Sequence, residues 1–274
     1  MKKLFLSLFA FALVFALGAC NPDERDARTA SEEIRFAVAG DGLEFSVDTR
    51  AAAVTSVSSV YWEALSGASV IYPVAEYSVS AGSVATGRYW PVESTTYNYR
   101  VSNVSFATSS GVISAANTTD IVVGTASASN NSCTVELNHI FARTGSLSLS
   151  APSGFSISDV SWKIASNGSA AGTAGTYTIG GGWASSGATA LSKQAFTSAS
   201  DLYLIPGSYN IEVTYTLSSG AFSKTYVKSA DVSLVQGKVN NISSTAPVPD
   251  DANPISFSVT VTAWGTENLN PVFE

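Results

Sequence analysis

Charge is scarce in this 274-residue chain: 14 Lys and Arg stand against 21 Asp and Glu, together 13% of the residues. With a formal net charge of −7 and no basic stripe, the chain lacks the clustered cations that neutralise phosphates, which argues against a nucleic-acid partner. Imidazole is scarcer still. His139 is the single histidine, so a Ser-His-Asp arrangement has one candidate and a multi-histidine metal site has none. A lone histidine in an alternating strand reads as structural. The sequence also lacks a G-x-S-x-G elbow, a P-loop and a dinucleotide fingerprint. GGGW at 180–183 is a glycine turn without the strand and helix that phosphate binding requires. Asp250-Asp251, in PVPDDANP, reads as an acidic linker. These absences speak against an enzyme, and no catalytic residue, metal or cofactor is assigned.

What is present begins with a leader. Lys2 and Lys3 precede an apolar run from Leu4 to Leu17, which has the length of a signal peptide and is short for a membrane span. The run ends in LGAC, with small Gly18 and Ala19 before Cys20. This resembles the lipobox of bacterial lipoproteins, which implies that residues 1–19 are removed, that Cys20 is lipidated and that the chain is held to a membrane by that anchor. The only other cysteine is Cys133, so no internal disulfide is expected, and Cys133 reads as a small core residue. Residues 20–33, with NPDERDAR directly after Cys20, are polar and read as a tether. The acidic patch resembles the surface-export signals of Bacteroidetes lipoproteins.

From residue 34 onward the hydrophobic period is two. Ile34, Phe36 and Val38 alternate with Arg35 and Ala37, Gly40-Asp41-Gly42 supplies turn chemistry, and Leu43, Phe45 and Val47 alternate again. This predicts two short strands around a turn. Further alternating runs fall at 97–106, 133–141, 145–149, 155–164, 209–217 and 255–263, and no segment after the leader makes an amphipathic helix. Residues 107–132 and 165–188, rich in Ser, Gly, Ala and Asn, read as loops or weak edge strands. The pattern predicts all-β sandwiches, divided near residue 140 into domains of 34–140 and 141–274.

Two features bear on function. Four tryptophans, Trp62, Trp90, Trp162 and Trp264, lie in or beside strand-like runs and are expected in the core, whereas Trp183 lies among glycines and serines and is the candidate for an exposed ligand contact. The tail ISFSVTVTAW alternates Ile255, Phe257, Val259 and Val261 with serines and threonines. Such a strand either completes its own sheet or is donated to a neighbour. Four buried side chains would contribute on the order of 6–12 kcal/mol before ordering costs.

Taken in order, LGAC, IRFAVAG, DTRAAA, YWPVES, DIVVG, VELNHIFARTGSLSLSAPSGFSISDVSW, GTYTIGGGW, LYLIPGSYNIEVTYTL, LVQGKVNNI and FSVTVTAW resemble the fimbrillins, pilin subunits of the lipoprotein-derived pili of Bacteroidetes. The resemblance implies two tandem transthyretin-like β-sandwiches with no enzymatic activity and no cofactor. It further implies an outer-membrane lipoprotein on the cell surface, cut by an arginine-specific, trypsin-like protease after Arg50, with Ala51 as the new N-terminus. Arg25, Arg28 and Arg35 are rival sites. The displaced strand would carry Ile34, Phe36, Val38, Leu43, Phe45 and Val47. The groove it leaves would take the donor strand of another pilus subunit, with Ile255, Phe257, Val259 and Val261, and the resulting fimbria would support adhesion. Val239-Asn240-Asn241 stands where the family more often has aromatics. The alternative is a monomeric surface lipoprotein that binds a glycan or host protein through loops such as 165–188.

Overall fold

The structure is a computed structural model that describes residues 33–45, 55–90, 96–129, 133–249 and 253–264. Among these residues every regular element is a β-strand. One sheet has eight strands, in the order Thr134–Glu136, Glu33–Ala39, Ser83–Tyr89, Ser69–Ser80, Ser59–Ser66, Tyr97–Ser102, Val122–Ala128 and Asn138–His139. Glu33–Ala39 and Ser59–Ser66 are separated by two strands in that order, yet the rings of Phe36 and Trp62 are 6.0 Å apart. The sheet therefore folds over on itself, and its two layers close on a core that includes Phe36, Val84, Trp62, Tyr99 and Val122.

Later residues build a second sandwich. One sheet runs Tyr203–Leu204, Ala142–Ser150, Lys238–Thr245, Ser258–Ala263, and the other Gln194–Phe196, Ser156–Ser166, Gly207–Ser219, Phe222–Leu234. Period-two alternation puts Tyr209, Ile211, Val213, Tyr215 and Leu217 on one buried face of Gly207–Ser219. Trp162 and Phe257 meet across the two sheets with ring centroids 5.7 Å apart.

A fourth sheet, of three strands, joins the halves. Val112–Ala116 pairs antiparallel with Ala174–Thr178 through five residue pairs, and Gly182–Trp183 completes it. A third apolar cluster, with Ile113, Ile121, Ile140, Phe141, Tyr177, Ile205 and Trp264, lies beside it.

Two expectations change here. Glu33–Ala39 and Leu43–Glu44 do not form a hairpin: the first pairs with Thr134–Glu136 and Ser83–Tyr89, and the second runs parallel to Thr55–Ser56. Long-range burial of Ile34, Phe36 and Val38 outweighs the local turn signal. Residues 107–132 and 165–188, expected as loops or weak edge strands, supply the edge strands Val112–Ala116 and Gly182–Trp183 but also the interior strands Val122–Ala128 and Ala174–Thr178. Val122–Ala128 is an interior strand whose small residues permit close approach: a Cβ on Gly124 would lie 2.4 Å from the Glu136 carbonyl oxygen.

Candidate functional site

The site is the slot that Glu33–Ala39 fills. This strand lies between two others, parallel to Thr134–Glu136 and antiparallel to Ser83–Tyr89. Main-chain bonds hold it on both sides: Ala37 N–H donates to Cys133 O (2.8 Å), Val38 N–H to Gly82 O (2.8 Å), and Leu137 N–H to Ala39 O (2.7 Å). The buried Thr86 hydroxyl donates to Ile34 O at 2.8 Å. At the outer end the Gly87 N–H, and after it Arg35, hold the Glu33 carboxyl below its usual range.

Ile34, Phe36 and Val38 all point inward and are nearly inaccessible. Phe36 is the largest knob, 6.0 Å from the Trp62 ring and 5.8 Å from the Tyr99 ring. Leu43 and Phe45 are half-buried against the same core. Cys133 lies beside the slot, and burial pushes its thiol up to about 11. Among the described residues Thr134–Glu136 pairs with Glu33–Ala39 alone. Without that strand, Thr134–Glu136 would lose its ladder and Ser83–Tyr89 would present a bare edge over an apolar trough.

The tail lies in its own sheet, at the edge, antiparallel to Lys238–Thr245. Ile255 is buried, while Phe257 and Val259 are half-buried against the second core. Val261 departs from the expected row and is 46% exposed. Its cross-strand partner Asn240 is fully buried and donates its amide to the carbonyls of Arg143, Val235 and Lys238. At that level a polar network replaces the apolar pocket.

The leader turn and the end of the tail meet at His139. Its Nδ1 is 2.7 Å from the Asp120 carboxylate and its Nε2 is 2.9 Å from the Asp41 carbonyl. The ring stacks on Trp264 at 4.0 Å and 13°. Gly42 touches the Trp264 backbone so closely, at a φ of +68°, that a Cβ would fall 2.4 Å from its carbonyl oxygen. His139 is thus an interior strut. The sequence identified it as structural but carried no signal for these partners, which are distant in the chain.

Trp183 is placed differently from the exposed contact expected of it. It is half-buried, its indole N–H donates to Ile140 O at 2.8 Å, and its ring packs on Phe141 and Tyr177. The glycine turn at 180–182 folds it back between the halves. Arg35 lies within a paired strand, opposite Ala85, where a protease could not take its backbone in extended form. Cys20, Val47, Arg50 and Ala51, with Arg25 and Arg28, lie outside the described residues. Among the described residues no cluster of three or more His, Cys, Asp or Glu could hold a metal ion.

No family model matches the sequence, and no curated protein matches it. Solved structures do. Two proteins of Parabacteroides distasonis, both provisionally named for cell adhesion, superpose with TM-scores of 0.54 at 10% identity. The matches cover 89% and 85% of this chain and 99% of each of theirs. A protein of Bacteroides uniformis with the same provisional name gives 0.50 at 11% identity, over 86% of this chain and all of its own. The fold is shared. The likeness extends over 85–89% of this chain.

Proposed function

We propose that the chain is a structural subunit of a cell-surface pilus, built by strand exchange once its leader strand has been cut away, and that it supports adhesion. The observation that carries this reading is the position of Glu33–Ala39. A strand near the start of the chain fills the interior of a sheet, and its loss would open a trough lined by Trp62, Tyr99 and Val84. The tail supplies a complementary alternating strand at a sheet edge, where separating it breaks one ladder only. The provisional names of the structural neighbours support adhesion at the cell surface, and the lipobox-like LGAC supports a membrane anchor.

In this reading Cys20 carries the lipid that holds the precursor to the outer membrane, and an arginine-specific protease cuts after Arg50. Each subunit then accepts one strand and donates another, and a head-to-tail contact of this kind continues into a filament. The role is mechanical and requires no catalysis or cofactor. The experiment is limited trypsin treatment of the full chain. A discrete fragment beginning at Ala51 that slowly forms SDS-resistant ladders is the expected result. An intact monomer, or a trimmed one that never associates, would overturn the proposal.

A further inference from the structure

The motif Ile-x-Phe-x-Val occurs twice in the chain, as Ile34-Arg35-Phe36-Ala37-Val38 and as Ile255-Ser256-Phe257-Ser258-Val259. Building on the function proposed above, we infer that the tail of a second copy of this chain enters the slot in one register. Ile255, Phe257 and Val259 take the places of Ile34, Phe36 and Val38, and the tail leaves the leader's path at Val261.

The pocket chemistry selects this register. The site of Phe36 lies between Trp62 and Tyr99 and is shaped by a ring. A slip of two residues in either direction would put Val259 or Ile255 there and leave a void, while Phe257 would be forced into a site that fits Ile34 or Val38. A slip of one residue would turn Ser256, Ser258 and Thr260 into the core. In the matched register every inward site receives the side chain it already holds.

The backbone agrees. The acceptors Cys133 O and Gly82 O would face the N–H groups of Ser258 and Val259, and neither of these is proline. Pro254 falls in the place of Glu33, the first residue of the strand, where a proline is tolerated. The match ends where the slot ends. Val261 would stand in the place of Gly40, at which a Cβ would lie 2.4 Å from the Leu137 carbonyl oxygen. A valine cannot follow the leader there, and Val261 is also the one residue of the tail row left exposed in its own sheet. Phe257 and Val259 are half-buried at home, whereas Phe36 and Val38 are 2% and 4% exposed in the slot, so these two side chains would be more deeply buried after exchange.

The register can be read with disulfides. Ala37 and Thr134 are directly opposed across the slot, and Ser258 would replace Ala37. In the full chain, Cys133→Ser and Thr134→Cys are combined in turn with Ser256→Cys, Ser258→Cys or Thr260→Cys. Each protein is trimmed with trypsin, allowed to polymerise and mildly oxidised, and reductant-sensitive bonds between subunits are located by mass spectrometry. These three tail side chains are exposed at home, so their substitution leaves the core intact. The expected result is cross-linking at least about tenfold greater with Ser258→Cys than with the other two, because bridging needs Cα atoms about 4.4–6.8 Å apart. Dominance of either neighbour would overturn the register while leaving strand exchange standing. Ladders without any cross-link would show that the tail docks elsewhere. Failure of the wild-type chain to form ladders after trimming would remove the register and the proposed function together.

Discussion

Phe36→Ala tests the leader strand without altering the product that follows it. Phe36 is almost fully buried, and its ring packs against Trp62 and Tyr99. Truncating such a core aromatic costs about 3–5 kcal/mol, through lost transfer energy and the cavity left behind. Against a typical total of about 5–15 kcal/mol this is a large share of the precursor's stability. At about 1.4 kcal/mol per decade, the leader-out state becomes populated two to nearly four orders of magnitude more. Equilibrium urea unfolding of the full chain is the assay, paired with ladder formation after trypsin. The variant precursor is expected to lose about 3–5 kcal/mol. Its product, if cut after Arg50, no longer contains residue 36 and should form the same ladders as wild type. A precursor unchanged to within about 1 kcal/mol would refute the leader's place in the core, since that lies well below the range for a buried aromatic. Products that differ between variant and wild type would place the cut upstream of residue 36.

Val259→Asp should abolish ladders and cost the monomer only about 1–3 kcal/mol, because Val259 is half-buried at a sheet edge opposite Ile242; normal polymerisation with an unchanged circular dichroism spectrum would contradict its role as a donor. The Cys133 thiol, pushed up to about 11 by burial, should react with iodoacetamide slowly at pH 8 and about tenfold faster for each unit the pH is raised toward that value. Trimming should raise its rate at pH 8 at least about tenfold as the thiol returns toward an ordinary pKa near 8.5, and equal rates before and after would mean that the leader does not cover it. Trimming also removes Asp41 and Gly42 from the His139–Trp264 stack, so the emission difference between wild type and Trp264→Phe should shift to longer wavelength; an unmoved difference spectrum would show that the turn does not shield the indole.

The inward rows Ile34, Phe36, Val38 and Tyr209 through Leu217 were readable because a half-buried strand prints its two faces directly into the sequence. So was the core placement of Trp62, Trp162 and Trp264. The partner of each strand was less legible. Gly40-Asp41-Gly42 carries the local signature of a hairpin, but nothing in it announces that Thr134–Glu136 lies alongside. Val122–Ala128 reads as loop or weak edge strand because VVGTASA is poor in large side chains, whereas its smallness reflects a crowded neighbour. Trp183 is a similar case: the glycines before it and the serines after it suggest exposure, while the glycine turn folds the indole under Ile140. In the candidate site, alternation marks the inward row Ile34, Phe36 and Val38, while the groove around it is what the fimbrillin resemblance implies. The His139 strut was not legible, because Asp41, Asp120 and Trp264 converge from three distant parts of the chain.

The small sheet made by Val112–Ala116 and Ala174–Thr178 ties one sandwich to the other across five residue pairs. To bend the molecule at its waist, those pairs would have to come apart together and the apolar cluster around Phe141 would have to open to water. Each molecule therefore behaves as a stiff beam under load. In the filament proposed above, any suppleness would reside at the joints between subunits.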